Sequence, residues 1–264
     1  MYNEAQLIES EISQLRLSVP KQTRSAKVKK DNPKKRVYLS TNHLNQEVVV
    51  QFQYGSTNTK VGDSVQIWIM PLKWITAGKQ AMKDDSASCM NCPHSKKFNG
   101  TCYVRKGNSN QGLNSKVASL HNAFLKGELE MLPMSAAVAE IDNCTGKFIR
   151  FGAYGEPVLM GEEIVSQLAK VASKWAGYTH QWYVPKYNWA KKYFMASVET
   201  EGLKARAEQH GFRTFRVRNP HSVINDNEVI CPASKEAGNK VTCSTCGLCR
   251  GNSLNAKSVT IIIH

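Results

Sequence analysis

The sequence predicts an α/β chain in which parallel strands alternate with helices, either as a partial parallel (β/α) barrel or as an open parallel sheet, with an N-terminal helical and basic extension. Three observations predict it. The chain has 264 residues, 41% of them hydrophobic, enough to bury a substantial core. From Gln111 onward, segments of helical period give way repeatedly to short β-branched and aromatic runs. Gly127, Gly177 and Gly211 each follow a helical segment, where a glycine closes the last turn at least cost. The expected division is an N-terminal helix and basic arm over 1–36 and a metal-binding α/β domain over 37–264.

Residues 4–18 read as a short amphipathic helix, with Ile8, Ile12 and Leu15 on one face. Two strands follow the basic stretch: 45–55 (NQEVVVQFQYG) and 64–78 (SVQIWIMPLKWITAG). Over 111–126, Leu113, Val117, Leu120 and Phe124 share a helical face. Segments 135–142 (SAAVAEID) and 146–157 (GKFIRFGAYGEP) flank an Asn-Cys-Thr-Gly turn and read as a hairpin. Residues 161–176 read as a helix, with Ile164, Val165, Leu168, Val171, Ala172 and Trp175 inward. Strands are expected at 178–184, 191–200, 212–219 and 258–264, with a helix at 201–210. No repeat of 20–50 residues is present.

Charge is uneven along the chain. The net charge is +14, and the stretch from Lys21 to Arg36 supplies +7 of it through eight basic residues and Asp31. Such a run buries nothing and reads as a solvated arm. Its basic residues, among them Lys27, Lys29, Lys30, Lys34, Lys35 and Arg36, form either a solubilising linker or a phosphate-binding arm for nucleic acid or a nucleotide. The longest apolar runs are far too short to span a bilayer, and mean hydropathy is −0.41, which argues against a membrane protein. Three glutamates precede Arg16 and no apolar leader core is present, so a cytoplasmic location is expected.

Seven of the eight cysteines fall in two tight groups. In a chain expected in a reducing compartment, such clustering indicates metal rather than disulfides. Cys231, Cys243, Cys246 and Cys249 are spaced C-x11-C-x2-C-x2-C, with Pro232 after the remote cysteine. Three thiolates from one short loop suit a [4Fe–4S] cube, whereas structural zinc usually takes two separate knuckles. Zinc remains the alternative. Cys89, Cys92 and Cys102 are spaced C-x2-C-x9-C. They would either hold zinc with His94 or His121 as the fourth ligand, or hold a cluster with one iron left open.

Cys89, Cys92, Cys102 with Tyr103 behind it, and a strand ending in Gly155, Glu156 and Pro157 together resemble the radical S-adenosylmethionine superfamily. The resemblance implies a [4Fe–4S] cluster on the three cysteines, with S-adenosylmethionine chelated at its open iron and cleaved on one-electron reduction. It also implies that Tyr103, Gly152, Gly155, Glu156, Pro157 and Ser197 contribute to cofactor binding, with Glu156 near the ligand's amino group. The four-cysteine group is similar to the auxiliary cluster of many members. The loop spacing differs from the superfamily's C-x3-C-x2-C, and Tyr154 stands where GGEP has its first glycine. More narrowly, CxxCP…CYV, RFGAYGEP, YTHQW, FRTFRV and TCxxCGLC resemble a group of phage- and plasmid-encoded proteins over residues 85–264. The contrasting function is a non-enzymatic, zinc-stapled module that binds DNA or RNA through the arm.

Among other residues, Ser197 and Glu199 sit at a strand end and suit either a ligand's ribose or a helix cap, with capping the expected use. His180, among Tyr178, Trp182 and Tyr183, reads as core more readily than as a stacking platform. Cys144 has no partner in sequence. No Walker loop, GxSxG elbow, HExxH or dinucleotide fingerprint is present.

Overall fold

β-Branched residues open the sheet. Strands β1 (Lys35–Thr41), β2 (Glu47–Gln53) and β3 (Val65–Pro71) form an antiparallel meander in the computed structural model, which describes residues 34–55, 61–98, 100–102, 104, 108–238 and 241–263. The predicted helix at 4–18, the arm residues Lys27, Lys29 and Lys30, and Tyr103 lie outside the described residues. Pro71 ends β3 and the chain turns at once into α1 (Leu72–Ala77), so the apolar run to Gly78 is a strand followed by a helix. A proline cannot donate to a ladder, which explains the break.

After α2 (Ser86–Cys89) and α3 (Asn108–Leu125), β4 (Leu129–Pro133) pairs parallel with β1. The expected strand over 135–142 is instead a 3₁₀ helix, Met134–Glu140, running into α4 (Ile141–Cys144). Three alanines favour helical backbone, and the apolar spacing that suggested a strand is also satisfied by a tight helix. Strand β5 (Phe148–Tyr154) then pairs parallel with β3, so the predicted hairpin does not form.

Helix α5 (Glu162–Val171) ends five residues earlier than its periodicity suggests. Trp175 continues the apolar spacing but belongs to β6 (Lys174–Ala176), which pairs with β5. The chain then passes through Gly177 into β7 (Tyr178–Thr179), which pairs with β8 (Met195–Val198). The expected strand at 178–184 is thus two residues long, and Lys191 and Lys192 lie in a 3₁₀ segment, Pro185–Lys192. α6 (Glu201–Gln209), β9 (Thr214–Arg218), β10 (Glu228–Ile230), α7 (Cys243–Cys246) and β11 (Ser258–Ile262) complete the chain.

Two sheets result. One has the order β4-β1-β2-β3-β5-β6 and is mixed; the other, β10-β11-β9-β8-β7, is parallel throughout. They meet at Gly177, whose N–H donates to the Cys249 carbonyl at 3.2 Å and whose carbonyl accepts from Met195 N at 3.0 Å. A Cβ here would stand 2.4 Å from the Phe194 ring, so only glycine allows the crossing. The α/β class is as the sequence predicts.

The first sheet is covered on both faces, which is why β3 is buried along its whole length and apolar but for Gln66. Val65, Ile67 and Ile69 face a core shared with Ile164, Val165 and Leu168 of α5, and Trp68 and Met70 face one shared with Leu113, Val117 and Leu120 of α3. A third cluster, including Met195, Val259, Cys231 and Cys249, lies under the second sheet. No helix among the described residues is long and apolar enough to cross a membrane.

Candidate metal centres

Thiolate groups need a folded cage, because each buried sulfur carries a desolvation cost until a cation offsets it. The second cysteine group has such a cage. Cys231 follows β10 and donates its N–H to the Thr260 carbonyl at 2.8 Å. Cys243 and Cys246 lie on α7, fixed by a capping box between Thr242 and Thr245. Gly247 takes a left-handed φ of 64° and brings Cys249 back toward Gly177. The four cysteines and Tyr178 line a small cavity of about 20 Å³, partly open to solvent.

Burial pushes the Cys249 thiol up; a hydrogen bond with Tyr178 opposes this, and the neighbouring Cys231, Cys243 and Cys246 add to it. Cations surround the group. Lys174 Nζ donates to the Thr245 carbonyl at 2.5 Å, Arg213 to those of Leu248 and Gly251 at 3.1 and 2.7 Å, and Arg250 Nε to that of Gly247 at 2.9 Å.

The sulfur spacing bears on what the cavity holds. Four thiolates on one zinc, with bonds of about 2.3 Å, stand about 3.8 Å apart at the corners of a tetrahedron. Among the described residues, no three sulfurs of either cysteine group lie within 4.8 Å of one another. Thiolates around an iron–sulfur cube each bind a different iron and stand further apart. Four cysteines are a donor set that either group takes.

The first cysteine group is wound by its own backbone. Cys92 N donates to the Cys89 carbonyl at 2.9 Å, Ser95 N to that of Cys92 at 3.0 Å and Cys102 N to that of His94 at 3.1 Å. Cys89 is buried in the layer that contains Trp74 and Tyr154, and Cys92 and Cys102 pack against the same layer. Burial raises the Cys89 thiol well above its ordinary value, and the charges of Asp85 and Cys92 raise it further.

The GAYGEP loop is fastened to this group by Glu156 N, which donates to the Ser88 carbonyl at 2.9 Å. Its glycines are required by close approach. A Cβ on Gly155 would stand 2.3 Å from the Ile69 carbonyl oxygen, and one on Gly152 2.7 Å from that of Gly155. Pro157 starts a single 3₁₀ turn, Pro157–Met160.

Glu156 itself is buried and engaged. Its carboxylate accepts from Thr179 Oγ1 at 2.7 Å and from His180 N at 3.1 and 3.3 Å, and it lies 3.4 Å from His180 Nδ1. The other ring nitrogen, His180 Nε2, lies 3.0 Å from Glu199 Oε1. His94 Nε2 reaches the same oxygen at 3.2 Å, while His94 Nδ1 pairs with Thr101 Oγ1 at 2.7 Å. Burial works against the His180 imidazolium, but hydrogen bonds with Cys92, Glu156 and Glu199 outweigh it and hold its pKa well above the usual range. Burial likewise opposes the Glu199 carboxylate, and the two histidines bring its pKa down to about 2.

Thr200, not Ser197 or Glu199, caps α6, through its side chain and Leu203 N. That frees Glu199 for the histidines. Ser197 is buried on β8, where its carbonyl accepts from Trp182 Nε1 at 3.2 Å. His121 bonds the Ile75 carbonyl at 2.8 Å and packs over Gly78, joining α3 to α1. Cys144 is buried on α4 beside Tyr54.

No family model matches the chain, and neither does any curated protein or solved structure.

Of the arm, Lys34 is exposed, while Lys35 and Arg36 belong to β1. Lys35 Nζ donates to Ser119 Oγ, and Arg36 pairs with Glu130 at 3.0 Å and with Glu140 at 3.7 Å. The triad of His94, His180 and Glu199 is the feature that sequence reasoning missed. Its only local signal is a histidine two residues beyond the CxxC pair.

Proposed function

We propose that this chain is a two-centre iron–sulfur protein, with a closed cluster on Cys231, Cys243, Cys246 and Cys249 and an open one on Cys89, Cys92 and Cys102. We propose further that it is an enzyme of the radical S-adenosylmethionine type, acting on nucleic acid or a nucleotide. The observation that carries the reading is the four-cysteine cavity beside Tyr178, with Lys174, Arg213 and Arg250 hydrogen-bonded to the backbone around it. Support for the open centre comes from placement: the cysteine loop meets the C-terminal ends of β5, β7 and β8, the edge where parallel α/β sheets gather their chemistry.

An open iron supplies one electron to a ligand held at it. The chain's own residues do the rest. Lys174, Arg213 and Arg250 offset the negative charge of the closed centre, and the layer around Trp74 and Tyr154 keeps water from Cys89. Glu156, with Thr179 and His180 on its oxygens, fixes His180.

The test is anaerobic purification of the full chain with visible spectroscopy and counts of iron, sulfide and zinc. About eight irons per chain are expected, as two [4Fe–4S] clusters require. Replacing Cys89, Cys92 and Cys102 by alanine removes about half and leaves the rest. A colourless zinc protein would overturn the reading. If the iron is present but S-adenosylmethionine leaves the spectrum of the reduced protein unchanged, the ligand assignment fails and the two-cluster assignment stands.

A further inference from the structure

We infer that His94, His180 and Glu199 form a third metal site, which binds one divalent transition ion of the zinc type and leaves a coordination position open. The site adjoins the first cysteine group, since His94 lies in that loop and His180 hydrogen-bonds with Cys92, but its three ligand atoms are nitrogen and oxygen and not sulfur.

The geometry carries it. One ligand atom from each of the three side chains lies within 4.8 Å of the other two, a closeness that no three cysteine sulfurs reach among the described residues. The separations of 3.0 and 3.2 Å from the two Nε2 atoms to Glu199 Oε1 are close to the edge of a tetrahedron with metal bonds of about 2.0–2.1 Å, which is about 3.3 Å. Three separate chain segments supply the ligands: the cysteine loop, the end of β7 and the end of β8.

The groups that would hold the ligands in place are present as well. An imidazole that ligates through Nε2 needs its Nδ1–H held by an acceptor, which fixes both tautomer and ring direction. His180 Nδ1 faces the Glu156 carboxylate at 3.4 Å, and His94 Nδ1 faces Thr101 Oγ1 at 2.7 Å. Two imidazoles and one carboxylate select transition ions over magnesium or calcium, and three protein ligands are the number an open zinc site uses. All three side chains are partly exposed, so an ion has a way in. With no ion bound, His180 joins the Glu156 and Glu199 carboxylates through its two ring nitrogens.

Zinc is titrated into the full chain, purified without oxygen, against a competing chelator, with iron and sulfide counted in the same samples. The wild type binds one zinc more than Glu199→Gln or His94→Gln. Thr101→Val, which touches no ligand atom directed at the ion, weakens that zinc roughly 10-fold or more. Circular dichroism confirms folding of each variant, and Thr101→Val keeps the test decisive if a ligand variant fails to fold. Equal zinc binding across wild type and variants overturns the inference. So does a parallel loss of zinc and iron, which would place the zinc on thiolates.

Discussion

Gly155→Ala tests whether the GAYGEP loop is pinned against the sheet as the packing indicates. Gly155 has φ of 78°, and a Cβ there would stand 2.3 Å from the Ile69 carbonyl oxygen and 3.0 Å from Ile69 Cβ. Ile69 lies on β3, which is bonded to β2 on one side and β5 on the other and buried throughout, so its backbone has nowhere to retreat. Left-handed backbone costs a residue with a Cβ about 1–2 kcal/mol. Forcing an extra carbon into a packed interior adds about 1–3 kcal/mol. The expected loss is therefore about 2–5 kcal/mol.

Gly127→Ala is the control that separates the two contributions. Its φ is 67°, close to that of Gly155, but nothing lies within 4 Å of where its Cβ would go. It should lose only the backbone part, about 1–2 kcal/mol. Urea unfolding followed by tryptophan fluorescence gives both values, read from midpoints at unchanged slope. Because Glu156 N anchors the loop to Ser88, Gly155→Ala should also lose iron from the first cysteine group, whereas Gly127→Ala should not. Equal stability losses in the two variants, within about 0.5 kcal/mol, would show that the loop yields and that the collision argument is wrong.

Burial lowers the Lys116 pKa to about 8, with nearby Lys35 contributing. Between pH 8 and the ordinary lysine value the unfolded chain binds more protons, so stability should rise with pH across that window. Lys116→Met should abolish the rise and be the more stable protein at pH 7, less what the ammonium gains from the Trp68 ring and the Gln51 carbonyl. Arg216 is almost fully buried between Glu228 and Glu201, at 2.5 and 2.6 Å, so Glu228→Gln should cost about 3–5 kcal/mol in a denaturant titration. Burial raises the Glu228 carboxyl, and Arg216 and Asn225 more than offset it, so its folded pKa is depressed. Its contribution is present above the ordinary carboxylate range and lost as the pH falls through the depressed folded value, which acid titration of wild type against Glu228→Gln checks. Arg36→Ala should leave nucleic-acid binding unchanged, since its side chain is paired with Glu130 and Glu140; a clear loss in a salt-dependent binding assay would contradict that.

The sequence made the thiolate groups legible because their spacing is local: a C-x2-C loop can close on a metal wherever the chain goes. The α3 face was equally plain, since Leu113, Val117 and Leu120 repeat at helical spacing and all three are buried. Trp175 misled for the opposite reason. Its place in the helical series was coincidental, and its indole instead donates to the Tyr193 carbonyl at 2.8 Å from a strand. Short strands such as Tyr178–Thr179 are held by their neighbours rather than by their own propensity, so nothing local marks them.

The same distinction explains why the third donor group stayed hidden while the cysteines did not. His94 and Glu199 are more than a hundred residues apart, and they meet where the parallel strands β7 and β8 end beside the cysteine loop. Glu199 looked like a helix-capping acid, and would have been one had Thr200 not taken that work. Three donors gathered in this way cost more to assemble than a C-x2-C loop, because each comes from a separate segment. That cost is offset only if Glu156, Thr101 and the strand ends hold the side chains in place before an ion arrives. Those supports are present: Thr101 Oγ1 bonds the His94 ring, and Glu156, held by Thr179 Oγ1, accepts from His180 N and faces the His180 ring. The chain thus draws its nitrogen and carboxylate donors from separate segments of the fold, while the thiolates of its first cysteine group come from one loop wound on itself.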